Sequence, residues 1–387
     1  MIPIKYNVRS LMVRRMTSAM TAIGVAMVVF ILFILFGFVA GLRATVLRAG
    51  SRGNWIVLSR GTTAEPQSFV TREQYNVIRT RPEIAANANG APLVSPEMVT
   101  AFNPLPDGAL DQSNFTYLRG VYPTAFQVHR GIEIASGRMP EPGQAEMITG
   151  RRLAKKFPHL APGHELHFGH RTWRIVGTFS DRGSARESEI WTDLDVLQQD
   201  VHFGNGFSSL HIVMKPGMDE SLRAALLKDA RLSLDAIPED RFYEQQSRLA
   251  DSFAGLGLIV AGILAIGAIF GGMNTMYTSV ARRTREVGIL RALGFSNSSI
   301  LVSFIVESIV LALAGGVIGE VLGVLVATMT GLSSHLMSVE MLIFSFRMTP
   351  SAFISGLVAA LIMGVLGGLL PAWRAAKITL LDSIRAA

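Results

Sequence analysis

Apolar positions along this chain gather into four runs long enough to cross a bilayer as helix, which takes roughly 20 residues. They cover residues 19–42, 253–276, 301–331 and 351–371. The first two are uncharged, and the third contains Glu307 and Glu320. The first run outlasts the ~7–15-residue apolar centre of a cleaved signal peptide, so it reads as a retained span.

Between the first two runs the pattern changes. Residues 43–250 carry short alternating apolar runs divided by Gly and Pro. Residues 54–59, 115–121, 171–179 and 208–214 predict strands. Thr71 and Gln74 form a capping box for a helix to about residue 80. Residues 219–231 predict a second helix. A polar helix over 241–251 is expected to run straight into the second span, as a rod able to pass motion across the bilayer. The fold class is therefore an α-helical membrane protein with four transmembrane helices and a large extracytoplasmic α/β domain between helices 1 and 2. The expected divisions are a cytoplasmic amphipathic segment at 1–18, spans at 19–42, 251–277, 301–331 and 351–371, and the α/β domain at 43–250. A charged stretch at 278–300, a short outer loop at 332–350 and a cytoplasmic tail at 372–387 complete the chain. In the first segment Ile4, Val8, Leu11 and Met12 recur at helical spacing, which suits a helix lying on the inner membrane surface among lipid head groups; an ordinary positive flank is the plainer reading.

Composition sharpens this picture in three ways. Mean hydropathy of +0.37 with 49% hydrophobic residues exceeds that of an ordinary soluble protein. Cysteine is absent, which excludes disulfides and Cys-based metal sites. The net charge of +7 comes from Lys and Arg beside apolar runs and not among aromatics, which argues against nucleic-acid binding. Arg282, Arg283, Arg285 and Arg291 follow the second run, and Arg374, Lys377 and Arg385 follow the fourth. The positive-inside rule then places the 278–300 stretch and both termini in the cytoplasm. Arg43, Arg48 and Arg52 run against it, but they open a long domain that largely escapes the rule.

The 278–300 stretch is too charged to span and ends its helical pattern at Gly294. At ~100° per residue, Val287, Ile289, Leu290 and Leu293 fall in one arc of about 160°. Arg285 and Arg291 flank that arc, and Ala281, Gly288 and Ala292 form a small-residue face. Glu286 lies within the arc, with Arg282 and Arg283 at i−4 and i−3 available to hold it. A helix with these faces suits a groove on a second protein; a solvated connector would explain the arginines alone.

Other candidates are weighed beside it. Gly315, Gly319 and Gly323 make a doubled GxxxG, with single pairs at Gly267–Gly271 and Gly364–Gly368, and such spacing allows close helix approach in lipid, within the bundle or between protomers. Glu307 and Glu320 are intramembrane carboxylates and so functional candidates. They lie more than about 90° apart around the helix and do not make one site. Glu307 suits pairing with a loop arginine. His159, His164, His167 and His170 cluster in sequence, but alternation along a strand sends them to different faces, which favours a surface role over metal binding. No GxxxxGK[ST] motif, HExxH or nucleophile elbow occurs, so no nucleotide cradle, metal or other cofactor site and no catalytic residue is expected in the chain.

These residues carry a resemblance. Asn274 through Val280, the string from Arg283 to Gly294, Glu307, and Pro371-Ala-Trp-Arg-Ala-Ala376 resemble the permeases of the MacB/LolC/FtsX type, the type VII ABC transporters. Gly137-Arg138, Gly143, Glu146, Gly150 and the segment from Arg171 to Gly177 resemble that family's periplasmic domain, so the likeness covers nearly the whole chain. Ala281, Arg282 and Leu380 depart from the family pattern and leave the subfamily open. The resemblance implies a bacterial inner-membrane permease, unfused to its ATPase and bound to two copies of it, with ATP and Mg held by that partner. It implies a second permease copy, as homodimer or heterodimer, a periplasmic adaptor, and an outer-membrane channel as a further possible partner. The function implied is mechanotransmission that drives export or extrusion of a lipid, lipoprotein, peptide or drug. The alternatives are an FtsX-like permease that activates a periplasmic enzyme, and a sensor or scaffold without an ATPase.

Overall fold

The computed structural model describes residues 15–103, 115–229, 232–332, 336–339 and 341–377. The expected amphipathic segment lies outside the described residues except for its last four, which are helical, and the tail is described only to Lys377. Two compact units are present: Met1–Ala40 with Ala250–His335 and Phe346–Ala387, and Gly41–Leu249 with Leu336–Ser345.

The first unit is helical. Its helices are α1 (Arg15–Leu47), α2 (Arg248–Arg282), α3 (Thr284–Ala292), α4 (Asn297–Met329) and α5 (Pro350–Ala376). The four long ones are apolar over lengths that can cross a membrane. Start signals follow the sequence: Ser296 caps α4 by accepting a hydrogen bond from the Ser299 amide, and Pro350 opens α5 where its missing N–H costs nothing.

Glycines let α4 sit close to two neighbours. A Cβ on Gly315 would lie 2.6 Å from the Ala22 carbonyl oxygen of α1, and Gly319 and Gly323 face Ala26 and Phe33 on the same helix. On the α5 side, added Cβ atoms at Gly364 and Gly368 would meet Ala312 at 2.8 Å and Ser308 at 2.6 Å. Ser308 Oγ also donates to the Gly364 carbonyl at 2.7 Å, a hydrogen bond between the two helices. Gly267 and Gly271 behave differently: among the described residues nothing lies within 4 Å of a Cβ added at either, so this pair faces no described helix closely. Gly315→Val is therefore expected to destabilise the bundle by about 1–3 kcal/mol through overpacking. Gly262→Ala, at another open position, should change stability by no more than about 0.5 kcal/mol. Thermal unfolding of the full chain in detergent measures both, and equal losses would contradict the packing assignment.

The second unit is built on a sheet. Its strands are β1 (Asn54–Ser59), β2 (Val70–Thr71), β3 (Val94–Phe102), β4 (Thr116–Val121), β5 (Glu133–Gly137), β6 (Glu146–Gly150), β7 (Glu165–Phe168), β8 (Arg171–Ser180), β9 (Ile190–Asp193), β10 (Gly206–Phe207), β11 (Ser209–Val213) and β12 (Leu234–Pro238). Ten of them form one sheet, in the order β12-β1-β11-β3-β4-β9-β6-β8-β5 with β7 paired to β8. Alternation assigns the faces. Trp55, Val57, Val94, Met98, Leu118, Leu210 and Ile212 point into the main apolar core. There they meet Ile78, Leu194, Leu197, Leu222 and Leu226 from the helices Arg72–Arg79, Leu194–Val201 and Asp219–Lys228. The capping box is present in both arms: the Gln74 amide donates to Thr71 Oγ1 at 3.2 Å, and the Thr71 amide to Gln74 Oε1 at 2.8 Å.

The polar helix begins at Glu239 and runs on into the second span as one helix over Glu239–Arg282: Ser247, where a turn is marked between Gln246 and Arg248, keeps right-handed helical backbone, and its amide donates to the Tyr243 carbonyl at 3.0 Å. One expectation is corrected. The 332–350 loop holds a hairpin, β13 (Met337–Val339) and β14 (Leu342–Phe344). Its Ile343 enters the sheet-domain core, with its amide 2.9 Å from Ser188 Oγ.

Candidate functional site

The charged stretch after α2 folds as a short separate helix. Arg282 ends α2, Arg283 leaves helical geometry at φ −107° and ψ 10°, and α3 restarts at Thr284. At the other end Gly294 takes φ +89°, a left-handed conformation that suits glycine. The Gly294 amide donates to the Arg291 carbonyl and the Phe295 amide to that of Leu290, which closes α3 as a Schellman motif.

Arg283 is the anchor of this corner. Its Nη1 donates to Glu307 Oε2 of α4 at 2.9 Å, and its Nε lies 3.5 Å from Glu286 Oε2. Arg283 and Glu307 are both buried, whereas the Glu286 side chain is 53% exposed. Glu307 thus has the loop arginine expected of it, and Glu286 shares that same residue. Val287 inserts beside Met276, Val280, Ile300, Phe304, Ala372 and Ala375, which ties α3 to α2, α4 and α5.

The apolar arc drawn from the sequence does not act as one face. Val287 is buried and Leu290 half-buried, but Ile289 and Leu293 are 54% and 71% exposed. The reason is geometric: positions 287 and 289 are the two edges of the arc, about 160° apart. Gly288 is also buried, Arg291 is half-buried, and Ala281 belongs to α2, so the small-residue face dissolves too. What remains outward is a stripe of Arg285, Ile289, Ala292 and Leu293 beside Glu286, with Arg282 exposed at the corner before it. Glu320 lies elsewhere in α4, buried next to Gly356 of α5, with Oε1 lacking a hydrogen-bond partner.

The four clustered histidines do not converge. His164 donates from Nδ1 to the Ala161 carbonyl, His167 Nδ1 meets Thr172 Oγ1, His170 packs on His202 and His159 on Phe157.

Sequence reasoning missed a charged network inside the sheet domain. Arg119 of β4 bonds Glu65, Glu97 and Glu189 at 2.7–2.8 Å, and Arg186 bonds Asp181 and Glu239. His129 and His211 lie among the same carboxylates. Burial pushes the Glu65 carboxyl up, yet Arg119 and His211 together outweigh it and hold the group well below its usual range. Burial likewise opposes charge on His211, but Glu97, Glu239 and Glu65 reverse this and raise it to about 10. Glu97 and His211 sit on neighbouring strands, where alternating polar residues read as a solvent face.

A helical unit with four membrane-length helices, with a large sheet domain following the first in sequence, defines a multi-span membrane protein with an inserted α/β domain. Two family profiles divide it: residues 18–228 match the MacB-like periplasmic core domain and residues 258–380 match the FtsX-like permease C-terminal family. The chain belongs to the MacB- and FtsX-like family of ABC transporter permeases. The uncharacterized ABC transporter permease MJ1507 of Methanocaldococcus jannaschii is 29% identical over 238 residues, 58% of this chain and 57% of that protein. The macrolide export ATP-binding/permease protein MacB 1 of Yersinia pestis bv. Antiqua is 24% identical over 272 residues, 66% of this chain and 40% of that protein. The chain thus spans about half the length of these relatives. The crystal structure of the periplasmic region of MacB from Actinobacillus actinomycetemcomitans aligns over 51% of this chain and 94% of its own, with a TM-score of 0.38 and 14% identity.

Proposed function

We propose that α3 is the element on which a separate ATPase acts, with α3 and both termini on the cytoplasmic side and the sheet domain outside. The observation that carries this reading is the outward stripe of Arg285, Ile289 and Leu293 on a short helix anchored by the buried Arg283–Glu307 pair. Exposed apolar residues rimmed by charge suit a partner's groove. Two ATPase copies act on two permease copies, with the second copy covering the open Gly267–Gly271 side of α2. ATP binding shifts α3, and the spans carry the movement to the sheet domain, where a lipid, lipoprotein, peptide or drug is extruded through a periplasmic adaptor. The test is co-purification: a tagged full chain is extracted from source membranes and the bound ATPase is quantified. Ile289→Asp with Leu293→Asp is expected to lower recovered ATPase by about tenfold or more, the effect of ~1.4 kcal/mol or more of lost docking energy. Undiminished recovery from correctly inserted variant protein refutes the assignment.

A further inference from the structure

Outside α3, one group of ligating side chains among the described residues stands apart, in the sheet domain's buried polar layer. His129 closes the short helix Ala125–Val128, His211 lies on β11, and Glu239 opens the helix Glu239–Gln246. All three are buried. The two imidazoles face each other with centroids 4.7 Å apart. Each ring is held from its outer nitrogen. His129 Nε2 is 2.7 Å from Glu97 Oε1, and His211 Nε2 is 3.2 Å from Glu65 Oε2 and 3.5 Å from Glu97 Oε2.

The inner nitrogens lack such partners. His129 Nδ1 and His211 Nδ1 are both buried without a hydrogen bond. Both approach one carboxylate oxygen, Glu239 Oε1, at 3.8 Å and 3.4 Å. Ligands held ~2.0–2.2 Å from a tetrahedral zinc stand roughly 3.3–3.6 Å from one another, so these spacings need little adjustment. Outer nitrogen on a carboxylate and inner nitrogen on a metal is the arrangement that orients ligating histidines. Charge points the same way, because five carboxylates, Glu65, Glu97, Asp181, Glu189 and Glu239, gather about the two guanidiniums of Arg119 and Arg186 and the His211 ring among the described residues. Arg186 also bonds Glu239 Oε1, and it keeps Asp181 and the Ala49 carbonyl if that oxygen turns to an ion.

We propose that His129, His211 and Glu239 bind a divalent transition-metal ion, zinc by its donor set, with Glu97 and Glu65 orienting the rings. Such an ion would staple the helix Glu239–Gln246 to β11 and to the turn at His129, with three protein ligands and a fourth position left to water.

The test uses the full chain in detergent, stripped with a chelator, reloaded with zinc and desalted. Wild type is expected to retain about one zinc per chain by elemental analysis, with a higher Tm than the stripped form. Cobalt(II) in its place should give the strong visible absorption of tetrahedral coordination. His129→Ala with His211→Ala should lower retained zinc by about tenfold or more. Glu239→Gln keeps the size of the side chain and a bond to Arg186, so it tests the site in a folded chain, and it too should lose the ion. Wild type that retains no zinc after reloading, or Glu239→Gln that retains as much as wild type, overturns the proposal.

Discussion

Arg119→Leu is expected to destabilise the sheet domain by about 3–5 kcal/mol or more, the cost of removing one partner from a buried ion pair. Arg119 is nearly sealed from solvent, and its guanidinium serves three carboxylates at once: Nε and Nη2 bond Glu189, while Nη1 bonds both Glu65 and Glu97. Burial works against the Arg119 charge, but Glu189, Glu65 and Glu97 together outweigh it and hold the group protonated. Leucine removes that compensation and leaves three carboxylates to take up protons or admit water. For a domain of this size the loss corresponds to a fall in Tm of roughly 6–20 °C. Lysine should restore only part of it, because a point charge cannot fork between three acceptors as a planar guanidinium does. Tryptophan fluorescence during thermal unfolding of the full chain reports this, since Trp173 and Trp191 are fully buried in the domain and Trp191 Nε1 donates to Glu189. A loss below about 1 kcal/mol would mean the network is open to water, as an exposed salt bridge is.

That network explains why the sheet domain was only half legible. Apolar alternation identified β1, β4, β8 and β11 because Trp55, Val57, Leu118, Leu210 and Ile212 share the core face. The same alternation puts Ser95, Glu97, Ser209 and His211 opposite, a pattern that a one-sided sheet presents to water. Here that face is covered by the turn at Glu65, by His129 and by the helix starting at Glu239. These partners are separated by tens to more than a hundred residues, so no local signal announces them. The hairpin at Met337–Val339 and Leu342–Phe344 was missed for a similar reason: Ile343 finds its contacts on Ser188, about 150 residues earlier.

In the helical unit the spans and the α3 stop were readable, since length, hydropathy and Gly294 are local properties. A helical wheel gives angles between side chains but not the direction in which neighbouring helices lie. The inward direction of α3 is fixed by Val287 against Phe304 and Ala375, on helices the wheel does not contain. The doubled GxxxG of α4 was readable as a packing face, and its partner, α1, was not, because spacing carries no address.

Arg283→Met and Glu307→Gln are each expected to uncouple α3 from the spans. The pair is short, at 2.9 Å, and both side chains are under a tenth exposed, so either substitution breaks an ion pair in a site nearly sealed from water. Freed from α4, Arg283 still lies beside Glu286, which is itself half in solvent. The α3 helix then keeps its Val287 contact but loses the polar bond that fixes its first turn. In a nanodisc-reconstituted complex with the partner ATPase, each single variant should reduce permease-dependent ATP turnover by about tenfold, equivalent to ~1.4 kcal/mol of coupling. The double variant should be little worse than either single one, because groups that act as a unit share one interaction energy, on the order of 1–3 kcal/mol in a double-mutant cycle. Independent contributions would instead multiply to a loss of about a hundredfold. That result would remove the pair from the coupling route and leave α3 positioned by Val287 alone.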